Sequence, residues 1–118
     1  MKIALTIDEP SKDSVIAKLF GRSKFFWYFD KQTSIEEIRA NPYAATFGGA
    51  GIQAAQLMIE KGVDVVITSQ VGENAARILN AGGIKIYYAQ AGEKNANFIL
   101  YRFLAGELEI IKSMKSVK

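Results

Sequence analysis

The chain has 118 residues, of which 49% are hydrophobic and 23% charged, and its formal net charge is +3. This size predicts one globular domain with one hydrophobic core, and no apolar run approaches the roughly 20 residues of a membrane-spanning helix, so we expect a cytoplasmic protein without a signal segment. Because Cys and His are both absent, this chain's own side chains exclude disulfides, thiolate catalysis and His- or Cys-ligated zinc, haem or iron–sulfur centres, and any metal would need oxygen ligands.

The first half of the chain predicts a strand followed by an aromatic hairpin. Residues 2–8 alternate between apolar and polar side chains, as a strand does. The aromatic segment 24–30 predicts a second strand, and residues 34–39 form either the other arm of an antiparallel hairpin or a short helix. Asn41 and Pro42 end this element, because a residue before proline is pushed out of the helical region.

The second half predicts alternating helices and strands. The β-branched run at 63–68 is typical of a strand covered on both faces, and therefore of a parallel sheet. The other predicted elements are a helix at 52–61 with Ile52, Ala55, Met58 and Ile59 facing inward, a helix from Gly72 to about residue 81, a strand at 84–88 and a helix at 93–105.

The aromatic run and the basic C-terminus are the segments with a potential role in binding partners. Phe25 to Phe29 could stack nucleic-acid bases, but we favour a core role with the excess exposed face used in a homodimer contact. No dense stripe of Lys and Arg accompanies the aromatics, so we expect no nucleic-acid partner. We interpret residues 109–118, with Lys112, Lys115 and Lys118, as a solvated, frayed tail that follows a domain at residues 1–108.

A series of short motifs carries a resemblance to a known family. In chain order they are Leu19-Phe20-Gly21-Arg22, Asn41-Pro42, Gly48-Gly49-Ala50-Gly51, Gly62-Val63-Asp64-Val65-Val66-Ile67, Gly72-Glu73-Asn74-Ala75 and Ala81-Gly82-Gly83-Ile84-Lys85-Ile86-Tyr87. From residue 2 to about residue 108 the chain resembles the NifX/NifB-type domain of the dinitrogenase iron-molybdenum cofactor family. The resemblance implies an α/β protein with a three-layer α/β/α ribonuclease H-like fold, whose central layer is a five-stranded mixed sheet.

The same resemblance implies a function, and the chain departs from the family's pattern at two places. It implies a non-enzymatic protein that binds, carries or inserts an iron-molybdenum cofactor or a related iron–sulfur cluster, with a cofactor-assembly or nitrogenase-type partner protein. Family members that bind the cofactor commonly have a histidine where this chain has Leu19, and often another where it has Thr46 and Phe47. Ligation of a cluster by His or Cys would therefore require a partner chain or an added small molecule.

Glycine-rich loops are expected to meet at one rim of the sheet and to form an anion site. Helix starts offer N–H groups and Arg22 offers a guanidinium, so the crevice would attract a phosphate, a carboxylate-bearing cofactor or an anionic cluster. A further loop at 90–92 is expected at the same rim, and no P-loop or dinucleotide fingerprint is present. The predicted site residues are Gly21, Arg22, Ser23, Phe47, Gly48, Gly49, Gly51, Ser69, Gln70, Gly72 and Asn74.

Two other functions stay open. The chain could keep the fold and use its glycine crevice for another small anion or for docking a protein partner. A metal-dependent hydrolase could use Asp8, Asp30 or Asp64, by comparison with ribonuclease H-like nucleases that hold two magnesium ions. We disfavour the hydrolase, because Asp64 alternates with buried-type valines, no fourth carboxylate accompanies these three, and no nucleophile has a base beside it.

Overall fold

The computed structural model describes residues 1–110, which form five strands and three helices. The elements in chain order are β1 (Lys2–Ile7), β2 (Phe25–Asp30), β3 (Glu36–Ala40), α1 (Ala50–Glu60), β4 (Val65–Thr68), α2 (Glu73–Ala81), β5 (Lys85–Tyr88) and α3 (Ala96–Leu104). None of the helices within residues 1–110 is long and apolar enough to cross a membrane.

The strands form one mixed sheet in the order β3-β2-β1-β4-β5. β2 is antiparallel to both β1 and β3, whereas β4 is parallel to both β1 and β5. The predicted hairpin is confirmed, and its second arm is a strand, in which Glu36 pairs with Phe29. The five-stranded mixed sheet that the family resemblance implied is therefore present.

The helices cover both faces of the sheet and produce three layers. α1 and α2 share one core with Phe26 and Tyr28 of β2, while α3 shares the other core with Trp27. Phe25 and Phe29 are half-buried and pack on the α3 side. The aromatic run is thus core on both faces, and it offers no broad exposed face for the homodimer contact that the sequence suggested.

Small side chains bring α1 and α2 close together and onto the sheet. Ala54 and Ala55 are completely buried in α1, and a Cβ placed on Gly51 would lie 3.3 Å from the Cβ of Ala75 in α2. Ile52 and Ile59 were predicted to face inward, but they are 36% and 43% exposed. The alanines occupy the buried stripe because only small residues fit such close packing, and the isoleucines lie at its margin.

The edge of the sheet beyond β5 is covered by the segment that follows α3. The N–H of Tyr88 donates to the carbonyl of Glu109 at 2.8 Å, and Tyr87 forms an antiparallel bridge with Ile110. These first two residues of the predicted tail therefore belong to the sheet edge. The remainder of that tail, with its lysines, lies outside the described residues.

Candidate functional site

The starts of α1 and α2 lie at the carboxyl-end edge of the sheet, where its parallel strands finish. Ile7 at the end of β1 pairs with Phe25, which pairs in turn with Ala40 at the end of β3, so the carboxyl ends of β1, β3 and β4 lie on the same edge. β1 and β4 are neighbours in the sheet, but the chain continues from β1 to β2 on one side of this pair and from β4 to β5 on the other side. Such a switch point leaves a crevice beyond the carboxyl ends of adjacent parallel strands, where ligands commonly bind in α/β proteins.

A cavity of about 450 Å³ lies at this edge, between the starts of α1 and α2. Its lining residues are Arg22, Gly49, Ala50, Gly51, Ile52, Gly72, Glu73, Asn74 and Ala75. Three of the predicted loops therefore meet here, through Arg22, Gly49 with Gly51, and Gly72 with Asn74. The sequence did not identify the other four lining residues.

Both helix starts at the cavity lack a side-chain cap. Gly49 precedes α1 and Gly72 precedes α2, and neither helix has a capping hydrogen bond from a side chain. By contrast, the Asn95 side chain caps α3 by accepting from the N–H of Phe98 at 2.8 Å. First-turn N–H groups have no acceptor within their own helix, so two positive helix ends face one cavity with donors to offer a ligand.

A close backbone contact holds the loop after β1 against the start of α1. A Cβ placed on Gly21 would lie 2.5 Å from both Cα and N of Gly51, so only glycine fits at position 21. Asn41 fixes the same loop from the other side, since its Nδ2 donates to the carbonyl oxygens of Gly21 at 3.1 Å and Ser23 at 2.8 Å. These contacts position the intervening Arg22 at the cavity.

Arg22 also joins the cavity to the loop that precedes α1. Its Nη1 donates to the carbonyl oxygens of Ala44, at 3.2 Å, and of Thr46. A guanidinium has five N–H groups, so bonds from Nη1 alone leave donor capacity for a ligand. The side chain is exposed, and its charge is therefore available to an anion that enters from solvent.

Glu73 places a negative charge in the same cavity. Its carboxylate accepts from Nη2 of Arg77 at 3.0 Å, one turn further along α2. Arg77 thereby offsets the charge of Glu73, and Arg22 adds a second positive group to the lining. The place of Glu73 directly after Gly72 at a helix start is the sequence signal that could have identified it.

The other predicted residues lie around the cavity without lining it. The Ser23 hydroxyl is buried and donates to the carbonyl oxygens of Ile7 and Phe25 at 3.0 and 2.7 Å, which is a structural use of that group. Gln70 binds the loop after β1 through its backbone, donating to Lys18 and accepting from Phe20. The remaining members are Gly21, Phe47, Gly48 and Ser69, and the roles assigned to all the predicted residues stay predictions.

The loop at 90–92 was expected at the same rim of the sheet, but none of its residues lines the cavity. The N–H of Gly92 donates to the carbonyl of Ile16 at 3.1 Å. Ile16 belongs to the core on the α3 side of the sheet, so this contact directs the loop toward the face opposite α1 and α2.

The three aspartates considered for a hydrolase do not converge. Asp30 lies opposite Lys2 in the sheet, and Asp64 accepts from the N–H of Lys2 at 2.8 Å, so both are at the edge opposite the cavity. Asp8 follows the carboxyl end of β1 at the cavity edge. Within residues 1–110, no group of three or more His, Cys, Asp or Glu side chains is placed to hold a metal ion.

Comparisons with known proteins agree with this architecture. A family model described as dinitrogenase iron-molybdenum cofactor matches residues 1–112. The apo form of the orange protein from Desulfovibrio gigas is 33% identical, with a TM-score of 0.86 over 93% of this chain and 92% of that one. A candidate NifB protein from Thermotoga is 26% identical, with a TM-score of 0.83 over 97% and 96%. No curated protein matches significantly. The chain therefore belongs to the dinitrogenase iron-molybdenum cofactor family.

Proposed function

We propose that this protein is a non-enzymatic carrier that binds an anionic iron-molybdenum or related metal–sulfur cofactor in the cavity between α1 and α2. Family membership supports a cofactor-binding role in general terms. The observation that carries the proposal is the convergence of two uncapped helix starts and Arg22 on one cavity of about 450 Å³. Cavities of this size are typical of small-molecule sites.

The lining fits such a cargo through hydrogen bonds and not through coordination by sulfur or imidazole. The chain has no Cys and no His, so neither of the usual protein ligands of an iron–sulfur cluster is present. Successive backbone N–H groups form the concave anion sites found around phosphates and Fe–S clusters. Gly49, Gly51 and Gly72 keep this backbone open to a bulky anion.

The affinity must come from several donors acting together. A helix end contributes about 0.3–1 kcal/mol to an exposed anion, and a hydrogen bond to a charged group about 1.5–3 kcal/mol. Micromolar affinity corresponds to about −8.2 kcal/mol, so one helix start is insufficient. Both helix starts and the Arg22 guanidinium are needed at once, which is the arrangement the cavity presents.

Replacing Arg22 tests this proposal. Iron-molybdenum cofactor extract and a [4Fe-4S] cluster are added separately to the anaerobic apo-protein, and uptake is followed by visible absorbance and co-elution. We expect stoichiometric uptake of a metal–sulfur cofactor and roughly tenfold weaker binding in Arg22→Ala, because one charged donor is removed. Arg39→Ala is the matched control, since Arg39 is an exposed arginine on β3 outside the cavity lining.

Other outcomes separate this proposal from its competitors. No uptake of either cluster by the wild-type protein would contradict the carrier proposal. Saturable binding of inorganic phosphate in that case, weakened by Arg22→Ala, would favour the small-anion alternative. Equal loss of uptake in Arg22→Ala and Arg39→Ala would show that overall charge, and not the cavity, attracts the cofactor.

A further inference from the structure

Phe47 is the most exposed large hydrophobic side chain within residues 1–110. Its relative accessibility is 105%, whereas the other aromatic ring of comparable exposure, Tyr101, reaches 75%. Covering the apolar surface of this exposed phenyl ring with a bound molecule would be favourable. The position of Phe47 indicates which molecule would cover the ring.

The loop that carries Phe47 is held by Arg22 before the ring, and a glycine pair follows the ring. Arg22 binds the carbonyl oxygens of Ala44 and Thr46, directly before the ring. Gly48 and Gly49 follow with φ values of +82° and +70°, and no atom lies within 4 Å of a Cβ placed on either of them. Glycines can change such dihedral angles without steric cost, and Gly49 itself lines the cavity. Phe47 therefore lies two residues before the lining residue Gly49, next to glycines that permit a change in the direction of the ring.

We propose that Phe47 is a cargo-contacting residue, which closes over the cavity and favours a metal–sulfur cofactor over a hydrated oxyanion such as phosphate. The inference rests on the proposed carrier function. Sulfide is soft and polarisable, and sulfur packs favourably against aromatic rings, whereas phosphate oxygens keep their hydration. Ile52, which is 36% exposed, adds an apolar side chain on the cavity lining itself. Excluding water also strengthens the hydrogen bonds from the two helix starts.

The test compares Phe47→Ala with Tyr101→Ala, a matched control on α3 that removes an exposed ring from the other face of the sheet. Both variants should keep the wild-type thermal midpoint, because neither ring is buried. After loading with iron-molybdenum cofactor extract, Phe47→Ala should release the cofactor about tenfold faster than the other two proteins, since lost contacts act mainly on dissociation. Any binding of inorganic phosphate should be the same in all three.

A second variant reports the movement itself. The indole of Phe47→Trp should be open to acrylamide quenching in the apo-protein and shielded after loading, measured against Trp27, which is 1% exposed. Unchanged release from Phe47→Ala, with a wild-type protein that does take up cofactor, overturns the inference alone and points to a partner-docking role for the ring. Absence of uptake by the wild-type protein overturns the carrier function and this inference together.

Discussion

Tyr28 carries a buried hydroxyl group that has no hydrogen-bond partner within residues 1–110. The residue is 2% exposed and lies in the core beneath α1 and α2. Burial raises the pKa of the Tyr28 phenol, and the nearby carboxylate of Glu37 raises it further. The Nζ atoms of Lys2 and Lys61 lie 5.5 and 5.2 Å from the ring centroid. The phenol is therefore held in its neutral form in the folded protein.

This raised pKa predicts a loss of stability at alkaline pH. The unfolded chain releases the Tyr28 proton near pH 10, while the folded protein retains it to higher pH, so the folded state binds more protons above pH 10 and the free energy of unfolding falls as pH rises. The stabilisation is complete below pH 10, and the slope contributed by this group approaches about 1.4 kcal/mol per pH unit between the two pKa values. Urea unfolding at pH 8 to 11 measures it.

Tyr28→Phe provides the comparison for that measurement. The variant should lose this part of the alkaline slope and, at pH 7, should be within about 1 kcal/mol of the wild-type protein, because the hydroxyl that it removes has no partner to lose. An identical slope in both proteins would show that other groups cause the alkaline loss. A large destabilisation at pH 7 would show that the hydroxyl is hydrogen-bonded in solution.

At the scale of the elements, the three helices divide by how they start. α1 and α2 begin after glycines without a side-chain cap and open on the cavity, whereas α3 begins after Asn95, which caps it. The two uncapped helices therefore give up stabilisation that a Ser, Thr, Asp or Asn would provide. Their first-turn N–H groups, which no N-cap side chain binds, are the feature that the carrier proposal requires.

Gly72→Ser should raise the stability of the protein and weaken cofactor binding. The backbone at Gly72 has φ −63° and ψ 154°, which suits an N-cap residue, and no atom lies within 4 Å of a Cβ there. A serine hydroxyl would accept from a first-turn N–H of α2, so the free energy of unfolding should rise by a few tenths of a kcal/mol, about the Gly-to-Ser difference at this position. Cofactor binding should weaken, because one donor is then occupied.

Asn95→Ala is the opposite control for that prediction. Removing the cap of α3 should cost about 1 kcal/mol of stability and leave cofactor affinity unchanged, since α3 lies on the other face of the sheet. The two properties are measured by urea unfolding and by absorbance titration. Equal cofactor affinity in Gly72→Ser and the wild-type protein would contradict a role for the start of α2.

The element boundaries show where sequence reasoning succeeded. The periodic and β-branched segments predicted the strands and helices well, because their patterns reflect burial on defined faces. The last helix starts at Ala96 and not at residue 93, because Asn95 supplies the cap that ends the preceding loop. The sequence could not place Ile52 and Ile59 at the margin of α1, since that depends on the close approach of α2 through Gly51 and Ala75.

At the scale of the whole molecule, the site arises from topology. Arg22, Gly51 and Gly72 are far apart in the chain and meet because β1 and β4 are adjacent at a switch point in the strand order. Glycine clusters at strand ends indicated which loops would meet. They could not show that the Ser23 hydroxyl is used within the fold or that Glu73 enters the lining, because both depend on side-chain directions set by packing.

Cofactor binding should change amide hydrogen exchange in two separate ways. Amides that exchange only through global unfolding should all slow by a common factor, about 100-fold when the free cofactor is at 100 times its Kd, which corresponds to about 2.7 kcal/mol of stabilisation. Amides at the starts of α1 and α2, at 50–52 and 74–75, should gain protection of their own because they donate to the cargo.

The hairpin turn at 31–35 is the internal control for this measurement, since it lies at the edge of the sheet opposite the cavity, where Asp30 pairs with Lys2. The turn is exposed, so we expect its amides to exchange by local opening, at the same rate with and without cofactor. Protection of this turn, without protection of the two helix starts, would instead place the cargo in the smaller cavity of about 280 Å³ beside Tyr28 and Glu37. Because the two cavities lie at opposite ends of the same strands, one exchange experiment on the loaded protein distinguishes them.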